Sequence, residues 1–465
     1  MGKDLIINKL QDKRILILGF GSEGQSSYHF IRKYFPELPI VIADESSDIA
    51  THLFENDKYA QDISYKRNTE TFDDYDIVLK SPGISLKKRL GSIDKTKISS
   101  QTDLFLQAFA PQCIGVTGTK GKSTTTSLLS HVLKAQYPNT LMAGNIGIPL
   151  FDIIEQIDED TKIVLELSSH QLEFIRNSPH ISILLNLFEE HLDHYNSYKD
   201  YQLAKFNIAR YQSNKDYFVY NTGDKQIAAL LEENLVESTC VGFSFRQTEA
   251  SQSFVKNGCF WLKMGKMGHL VEIGEVGGAF PLKGEHNLEN VAAAIAALSY
   301  VEEIDIQKIN NTFYSFNPLP HRLELLGEAD GIFFYNDSIS TVPQASIAAV
   351  KALKNVNTII LGGMDRGIDY THLADFLGKS AVENFIFTGD AGKRIMELFE
   401  NVENAENIEN KKSFFCTSYQ EIVRIAKECT KKGSICLLSP AAASYDQFKN
   451  FEERGDAYRK LVLGR

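Results

Sequence analysis

The sequence predicts an α/β protein of three domains, each built on a parallel sheet. Three observations point there. Short apolar, β-rich runs alternate with helix-like stretches along the chain. Two strand-to-helix junctions are rich in glycine, Gly19 to Gly24 and Gly115 to Gly121. A chain of 465 residues corresponds to roughly three domains of about 150 residues each.

The first domain is expected over residues 1–100. "RILILGFGSEGQSS" reads as a strand running into glycines, "SSYHFIRKYF" as the helix after it, and "PIVIAD" as the next strand, ending at Asp44. "YDIVLKSPGIS" continues the pattern. The second domain, residues 101–318, has strands in "QCIGVTG", "KIVLELSS", "HISILLNL" and "DYFVYN" and closes with an alanine-rich helix after "GEHN", at 288–301. The third, residues 319–465, begins near "NPLPHRLELL" and has strands in "GIFFYNDS", "NTIILGG", "NFIFTGD" and "SICLLSP". The polar stretch "NVENAENIENKK" reads as a surface loop.

Composition narrows the function. No apolar run approaches the ~20 residues that cross a bilayer. The opening "MGKDLIINKLQDKR" lacks the apolar core and cleavage site of a signal peptide. Six scattered cysteines without a Cys-x-x-Cys pair argue against a disulfide framework or structural zinc. A cytoplasmic protein with no membrane partner is expected. A net charge of −11 argues against nucleic acid as a partner, so anionic ligands must meet local clusters of cations.

"GVTGTKGKSTTTSLL", residues 115–129, carries the strongest chemical signal. A strand, a glycine turn and a helix bring backbone N–H groups and a helix N-terminus to one point, which suits phosphate. Lys122 can reach terminal phosphates, and the Ser123 hydroxyl can meet Mg²⁺. Glycine is absent at Val116, where the strict phosphate-loop pattern has one. Glu166, at the end of an apolar run, reads as a metal-binding carboxylate or as a solvated strand-end acid. His191, Asp193 and His194 follow another such run, either as a self-satisfied loop or as part of a second cation site. Gly19, Gly21 and Gly24, with Asp44 about twenty residues on, fit a dinucleotide fingerprint when taken alone.

"GVTGTKGKST", "ELSSHQLE", "NLFEEHLDHY…AK", "GEHNLEN", "PHRLE", "NDS", "LGG" and "SPAAASYDQFKNFEERG" fall in the order found in Mur ligases, and the chain resembles that family over nearly its whole length. The resemblance implies Rossmann-like N- and C-terminal domains around a central phosphate-loop ATPase domain. It implies an ATP-dependent ligase of peptidoglycan synthesis, and the closing segment resembles the branch that adds glutamate to UDP-N-acetylmuramoyl-L-alanine through an acyl phosphate. Gly118, Thr119, Lys120, Gly121, Lys122, Ser123, Thr124, Asn287, Arg322 and Asp337 resemble the ATP site, with Asn287 otherwise a cap for the next helix. Ser123, Glu166, His191 and Lys205 resemble the ligands of two Mg²⁺ ions. Lys122, Glu166, His191 and Lys205 match catalytic positions, and Lys205 matches a lysine that the family carbamylates with CO₂.

The substrate side follows in the same way. Gly21, Ser22, Asp44, Ser81 and Gly83 resemble the corner that holds the UDP moiety. Asn145 and Ser168 resemble contacts to the acceptor. Thr341, Arg366, Ser444 and Phe451 resemble the glutamate pocket. The family implies a monomer.

The chain departs from the family's glutamate-adding branch in "NDSISTVP". Ile339 stands where that branch has lysine and Val342 where it has asparagine. Arg366 replaces another lysine and can grip a carboxylate with two parallel hydrogen bonds. A subfamily with a "DSIST"-like loop adds L-glutamate and relies on a separate epimerase, so the loop leans the expectation from D- towards L-glutamate. Other amide ligases of the superfamily share the motifs up to Arg322. A nicotinamide oxidoreductase would leave the phosphate loop idle, and a nucleotide switch would make no amide. A Ser169–His170–Asp193 hydrolase lacks the glycines of a nucleophile elbow.

Overall fold

The computed structural model describes residues 2–44, 53–64, 72–88, 93–191, 194–264, 268–277, 280–282, 284–317, 319–353, 355–400 and 411–464. Asp193 and most of the polar 401–412 stretch lie outside them. The chain divides into two compact units, Met1–Phe280 with His286–Phe316, and Pro281–Glu285 with Asn317–Arg465.

The first unit holds two sheets. Strands β1 (Ile15–Leu18), β2 (Ile40–Asp44), β3 (Ala60–Ser64), β4 (Ile77–Lys80) and β5 (Ile98–Ser99) form an all-parallel sheet in the order β3-β2-β1-β4-β5. That order places a topological switch beside β1, where the glycine turn lies. β1, β2 and β4 are short apolar runs whose side chains divide between two apolar clusters, as strands of a parallel sheet covered on both faces do.

The second sheet uses β6 (Cys113–Thr117), β7 (Leu141–Gly144), β8 (Ile163–Glu166), β9 (Ile181–Leu184), β10 (Tyr217–Asn221), β11 (Thr239–Arg246), β12 (Ser251–Lys256), β13 (Cys259–Met264) and β14 (His269–Glu275). Its order is β14-β13-β12-β11-β10-β9-β6-β8-β7. β6, central among the parallel strands, pairs with β8 and β9 and delivers the phosphate-loop motif at its C-terminal end.

Not every pairing is parallel, contrary to the expectation for all three domains. β12, β13 and β14 form an antiparallel meander. The reason is local: Asn257 and Gly258, both at positive φ, make a two-residue turn between Lys256 and Cys259, far too short for a crossover helix. The alanine-rich helix, expected at 288–301, runs Glu285–Leu298, beginning directly after Gly284 at φ +89°.

Buried polar groups join the two sheets of this unit. Asp103, fully buried, accepts from the Arg176 amide at 2.9 Å and from the Ser99 hydroxyl at 2.8 Å, and it pairs with the Arg176 guanidinium. Gln171 Nε2 donates to Glu23 Oε1 at 2.6 Å. Lys80 lies 3.4 Å from Glu173, which also faces His194 at 3.1 Å. Burial pushes the Glu23 carboxyl up and the Lys80 amine down.

The second unit carries β15 (Glu324–Ala329), β16 (Ile332–Asn336), β17 (Val356–Gly362), β18 (Asn384–Thr388), β19 (Lys412–Cys416) and β20 (Ile435–Leu438), in the order β15-β16-β20-β17-β18-β19. β15 is an antiparallel edge, joined to β16 by the tight Asp330–Gly331 turn, and the other pairings are parallel. Two apolar clusters fill the faces of this sheet. Arg454, 1% exposed, donates to Ser338 O at 2.8 Å and Ala442 O at 3.0 Å and so ties two of its loops to the last helix, Phe451–Leu463.

Gly21 and Gly24 of the first turn differ in their surroundings. A Cβ on Gly24 would sit 2.1 Å from the Gly19 carbonyl oxygen, whereas one on Gly21 meets nothing within 4 Å. Gly24→Ala should therefore lower the unfolding free energy by about 1–3 kcal/mol, and Gly21→Ala by less than about 1 kcal/mol. Chemical denaturation midpoints of the two variants check this.

Candidate active site

In the first unit, β6 ends at Thr117 and the helix Lys122–Lys134 begins five residues later. Between them Gly118 and Gly121 have φ of +155° and +88°. Gly121 is also crowded: a Cβ there would lie 2.4 Å from Asn290 Oδ1. Any side chain would break both the turn and its seat on the alanine-rich helix.

The loop is held from below. The Thr119 amide donates to Asn186 O at 2.9 Å, and the Lys120 amide donates to Asn186 Oδ1 at 2.8 Å. The Thr119 hydroxyl meets the Tyr201 hydroxyl at 2.8 Å. Lys120 forms an ion pair with Glu190. Lys122 Nζ curls back onto the Gly118 and Thr119 carbonyls at 2.9 and 3.1 Å. Ser123 follows in the first helical turn, and Thr124 is buried.

Lys205 lies in the helix Tyr198–Arg210, 2% exposed, with Nζ 2.8 Å from the Gly118 carbonyl and 5.1 Å from the centre of the Tyr201 ring. Burial, reinforced by the positive charge of Lys122, holds its amine well below the usual lysine range. Glu166 ends β8 and is also buried; Asn145 Nδ2 donates to its Oε1 at 2.8 Å, while Oε2 has no hydrogen-bond partner among the described residues. Ser168 caps the short helix Ser169–Leu172 in a capping box with Gln171.

His191 has φ +59° and packs against His170, whose ring centre is 4.7 Å away. His170 also meets His194 at 4.1 Å, and burial with its charged neighbours lowers it to about 3, so its ring is neutral at physiological pH. Among the described residues no three His, Cys, Asp or Glu side chains make a metal cage by themselves.

At the first sheet, the Asp44 carboxylate accepts from the Phe20 amide at 2.6 Å and so braces the glycine turn from the neighbouring strand. The Ser81 hydroxyl donates to Gly19 O at 2.7 Å. Gly21, Ser22 and Gly83 are exposed around this corner.

In the second unit, Asp337 follows β16 and is 3% exposed. It accepts from the Ser340 and Ser439 hydroxyls at 2.6 and 2.7 Å and from the Leu323 amide at 3.2 Å. Burial outweighs these donors and the nearby Arg322, and raises the carboxyl to about 6. Thr341 and Ile339 are half-buried on the loop that follows. The Met364–Ala443 bridge joins the loop bearing Arg366, which is exposed, to the loop bearing Ser444, which is buried. Phe451 opens the last helix, its ring 6.4 Å from that of His321.

Lys122 and Lys205 thus converge on the Gly118 carbonyl. Asn287 lies inside its helix and not at the cap position, buried, with Oδ1 3.4 Å from Asn290 Nδ2. Sequence reasoning singled out neither Asn186 nor Asn290, which shape the phosphate loop, nor Tyr201. Asn186 interrupts the apolar run that continues past β9 with a polar amide, and that was the available signal.

Comparison with known proteins adds the lineage. The model of the Mur ligase middle domain matches residues 116–298, and that described as "Mur ligase, glutamate ligase domain" matches residues 321–442. A protein named UDP-N-acetylmuramoylalanine--D-glutamate ligase from Caldanaerobacter subterraneus subsp. tengcongensis is 32% identical, covering 98% of this chain and 99% of its own. One of the same name from Clostridium kluyveri is 31% identical, covering 97% and 96%. Among solved structures, the UDP-N-acetylmuramate-alanine ligase MurC of Thermotoga maritima shares the fold with a TM-score of 0.58 at 17% identity, covering 97% of this chain and 99% of its own. The MurF ligase of Thermotoga maritima in complex with ADP gives 0.56 at 17%, covering 92% and 96%.

The buried carboxyl of Asp337 has a consequence for stability. With a folded value near 6 against an ordinary 3.8, the native state holds a proton between those limits that the unfolded chain releases. The contribution is full below about pH 4, declines as pH rises to about 6 and is then flat, and its size is at most roughly 3 kcal/mol at 1.36 kcal/mol per unit. Urea unfolding from pH 4 to 7 should show this decline in the wild type and lose it in Asp337→Asn.

Proposed function

The chain belongs to the Mur ligase family, ATP-dependent enzymes that form an amide bond, and from that premise we propose that it joins glutamate to UDP-N-acetylmuramoyl-L-alanine in peptidoglycan synthesis. The observation that carries this reading is similarity along the whole chain, last domain included, to relatives that bear the name of that reaction. The proposed division is a UDP-substrate domain at 1–100, an ATP domain at 101–318 and a glutamate domain at 319–465. A monomer in the cytoplasm is the proposed working form.

ATP supplies the phosphoryl group that turns the acceptor carboxylate into an acyl phosphate, which the amine of glutamate then attacks as phosphate leaves. With the Thr119 and Lys120 amides engaged by Asn186, the amides at the start of the helix, Lys122 to Thr124, are proposed to face the phosphates, and Lys122 leaves its two carbonyl partners to neutralise the terminal ones. Asn287, Arg322 and Asp337 complete the proposed nucleotide contacts.

The residues fit Mg²⁺: the Glu166 oxygen without a partner is a hard ligand already buried, and Asn145 fixes its other oxygen. Ser123, Glu166, His191 and carbamylated Lys205 are the proposed ligands of two ions, which supply neutralisation of the crowded anions. The Lys205 amine suits carbamylation, because only the neutral amine attacks CO₂ and burial favours that form. The attack gives a carbamate and releases a proton.

Gly21, Ser22, Asp44, Ser81 and Gly83 are proposed for the UDP moiety, with Asn145 and Ser168 for the acceptor. Thr341, Arg366, Ser444 and Phe451 are proposed for glutamate. The relatives' name specifies D-glutamate, but the "DSIST" loop resembles that of the subfamily that adds L-glutamate, and on that ground we favour L-glutamate, with a separate epimerase acting on the product.

Phosphate release and product mass with ATP, Mg²⁺ and UDP-N-acetylmuramoyl-L-alanine test this, with D- and L-glutamate in parallel. Turnover with L-glutamate is expected; turnover with D-glutamate alone overturns the handedness, and neither overturns the substrate. ¹³C-bicarbonate should give a carbamate carbonyl signal that Lys205→Arg abolishes, together with a loss of activity of roughly a hundredfold or more.

A further inference from the structure

Arg366 sits on the loop that leaves β17 at Gly362, and one residue of the helix Gly389–Glu400, which follows β18, holds that loop on both sides of it. Asp365 Oδ1 accepts from Arg394 Nη1 at 2.6 Å and from the Gly367 amide at 3.0 Å. Arg394 Nη2 donates to Ile368 O at 3.1 Å. The Arg394 guanidinium carbon lies 5.5 Å from the ring centre of Tyr370, which is fully buried. Asp365, Gly367 and Ile368 are thus pinned around Arg366, whose side chain is left exposed. On the near side, the Met364 amide donates to Ala443 O at 2.9 Å, which sets the loop against Ser444.

We propose that Arg394 is a positioning residue for the amino-acid substrate: through Asp365 it fixes the loop that presents Arg366 and cancels the acid that adjoins it in sequence. This rests on the reading of Arg366 as the group that binds the glutamate carboxylate. The charge argument is as direct as the geometric one. An unpaired Asp365 would compete for the neighbouring Arg366 and would repel an incoming carboxylate. Paired with Arg394, it does neither. Arginine suits the post, since its planar fork serves the Asp365 carboxylate and the Ile368 carbonyl at once. The pair is partly exposed, with side chains 39% and 26% accessible, so its worth lies in placing Arg366 more than in stability.

The test is steady-state kinetics of the full chain for Arg394→Ala, Arg394→Lys, Asp365→Asn, the Asp365→Asn/Arg394→Ala pair and Arg366→Ala, with thermal unfolding of each. Arg394→Ala should raise KM for glutamate roughly ten- to a hundredfold, with KM for ATP and for the UDP substrate within about twofold. Arg394→Lys should recover part of that loss, and the double variant should bind glutamate no worse than Arg394→Ala, because the acid needing cancellation is gone. A general fall in kcat with a lower Tm and an unchanged KM for glutamate would overturn the proposal and leave Arg394 a structural residue. The underlying reading fails separately. Unchanged KM for glutamate in Arg366→Ala sinks the carboxylate assignment, whereas a raised KM there without one in Arg394→Ala or Arg394→Lys sinks only the positioning role.

Discussion

Two lysine amines converge on one carbonyl oxygen. Lys122 and Lys205 both donate to Gly118 O, at 2.9 and 2.8 Å, and Lys205 does so while almost wholly buried. Two ammonium groups in so small a space repel, and desolvation falls on the one without water. The relief is for Lys205 to give up its proton. That single constraint explains why the lysine is held low, and it is the ground for the proposed conversion to an anion. A carbamate there would turn the repulsion with Lys122 into attraction and place negative charge beside the buried Glu166. The chemistry proposed for the site begins from this electrostatic conflict.

The scaffold exists to keep that conflict in place. The phosphate loop cannot relax away from Lys205, because Asn186 holds the Thr119 and Lys120 amides and Tyr201 meets the Thr119 hydroxyl. Tyr201 stands one turn before Lys205 on the same helix, so the group that fixes the loop and the group strained by it move together. On the other side, Asn290 fills the space that a side chain at Gly121 would need. The positive φ at Gly121 and the tight seat are two separate demands for the same residue.

Much of this was legible in the sequence because it is local. The phosphate loop is a run of neighbours, Glu166 is an acid at the end of an apolar strand, and the strand–helix alternation announces the parallel sheets. What was not legible is what joins distant parts of the chain. Asn186 and Lys120 are 66 positions apart, and Thr119 and Tyr201 are 82. An asparagine or tyrosine carries no mark of a partner that far away. Lys205 was reachable only through resemblance, since a lone lysine in a helix reads as solvated until its burial is known. The meander is a different failure. Asn257–Gly258 between two apolar runs is a strong short-range hairpin signal, and the overall α/β rhythm masked it.

The second unit meets a similar problem with the opposite charge. Asp337 is buried with two hydroxyls and one amide to receive, and still its carboxyl is held near 6. Hydrogen bonds lower the cost of a buried charge without removing it. Lys205 and Asp337 are therefore each pushed towards their neutral form by burial, one from above neutrality and one from below. Each charge is thus set within its own unit, by burial and by the groups beside it. Arg366 lies at the other extreme, exposed and permanently charged. Its demand is for a fixed position and for freedom from the acid that precedes it, which is why the surroundings of Asp365 matter more to it than its own burial.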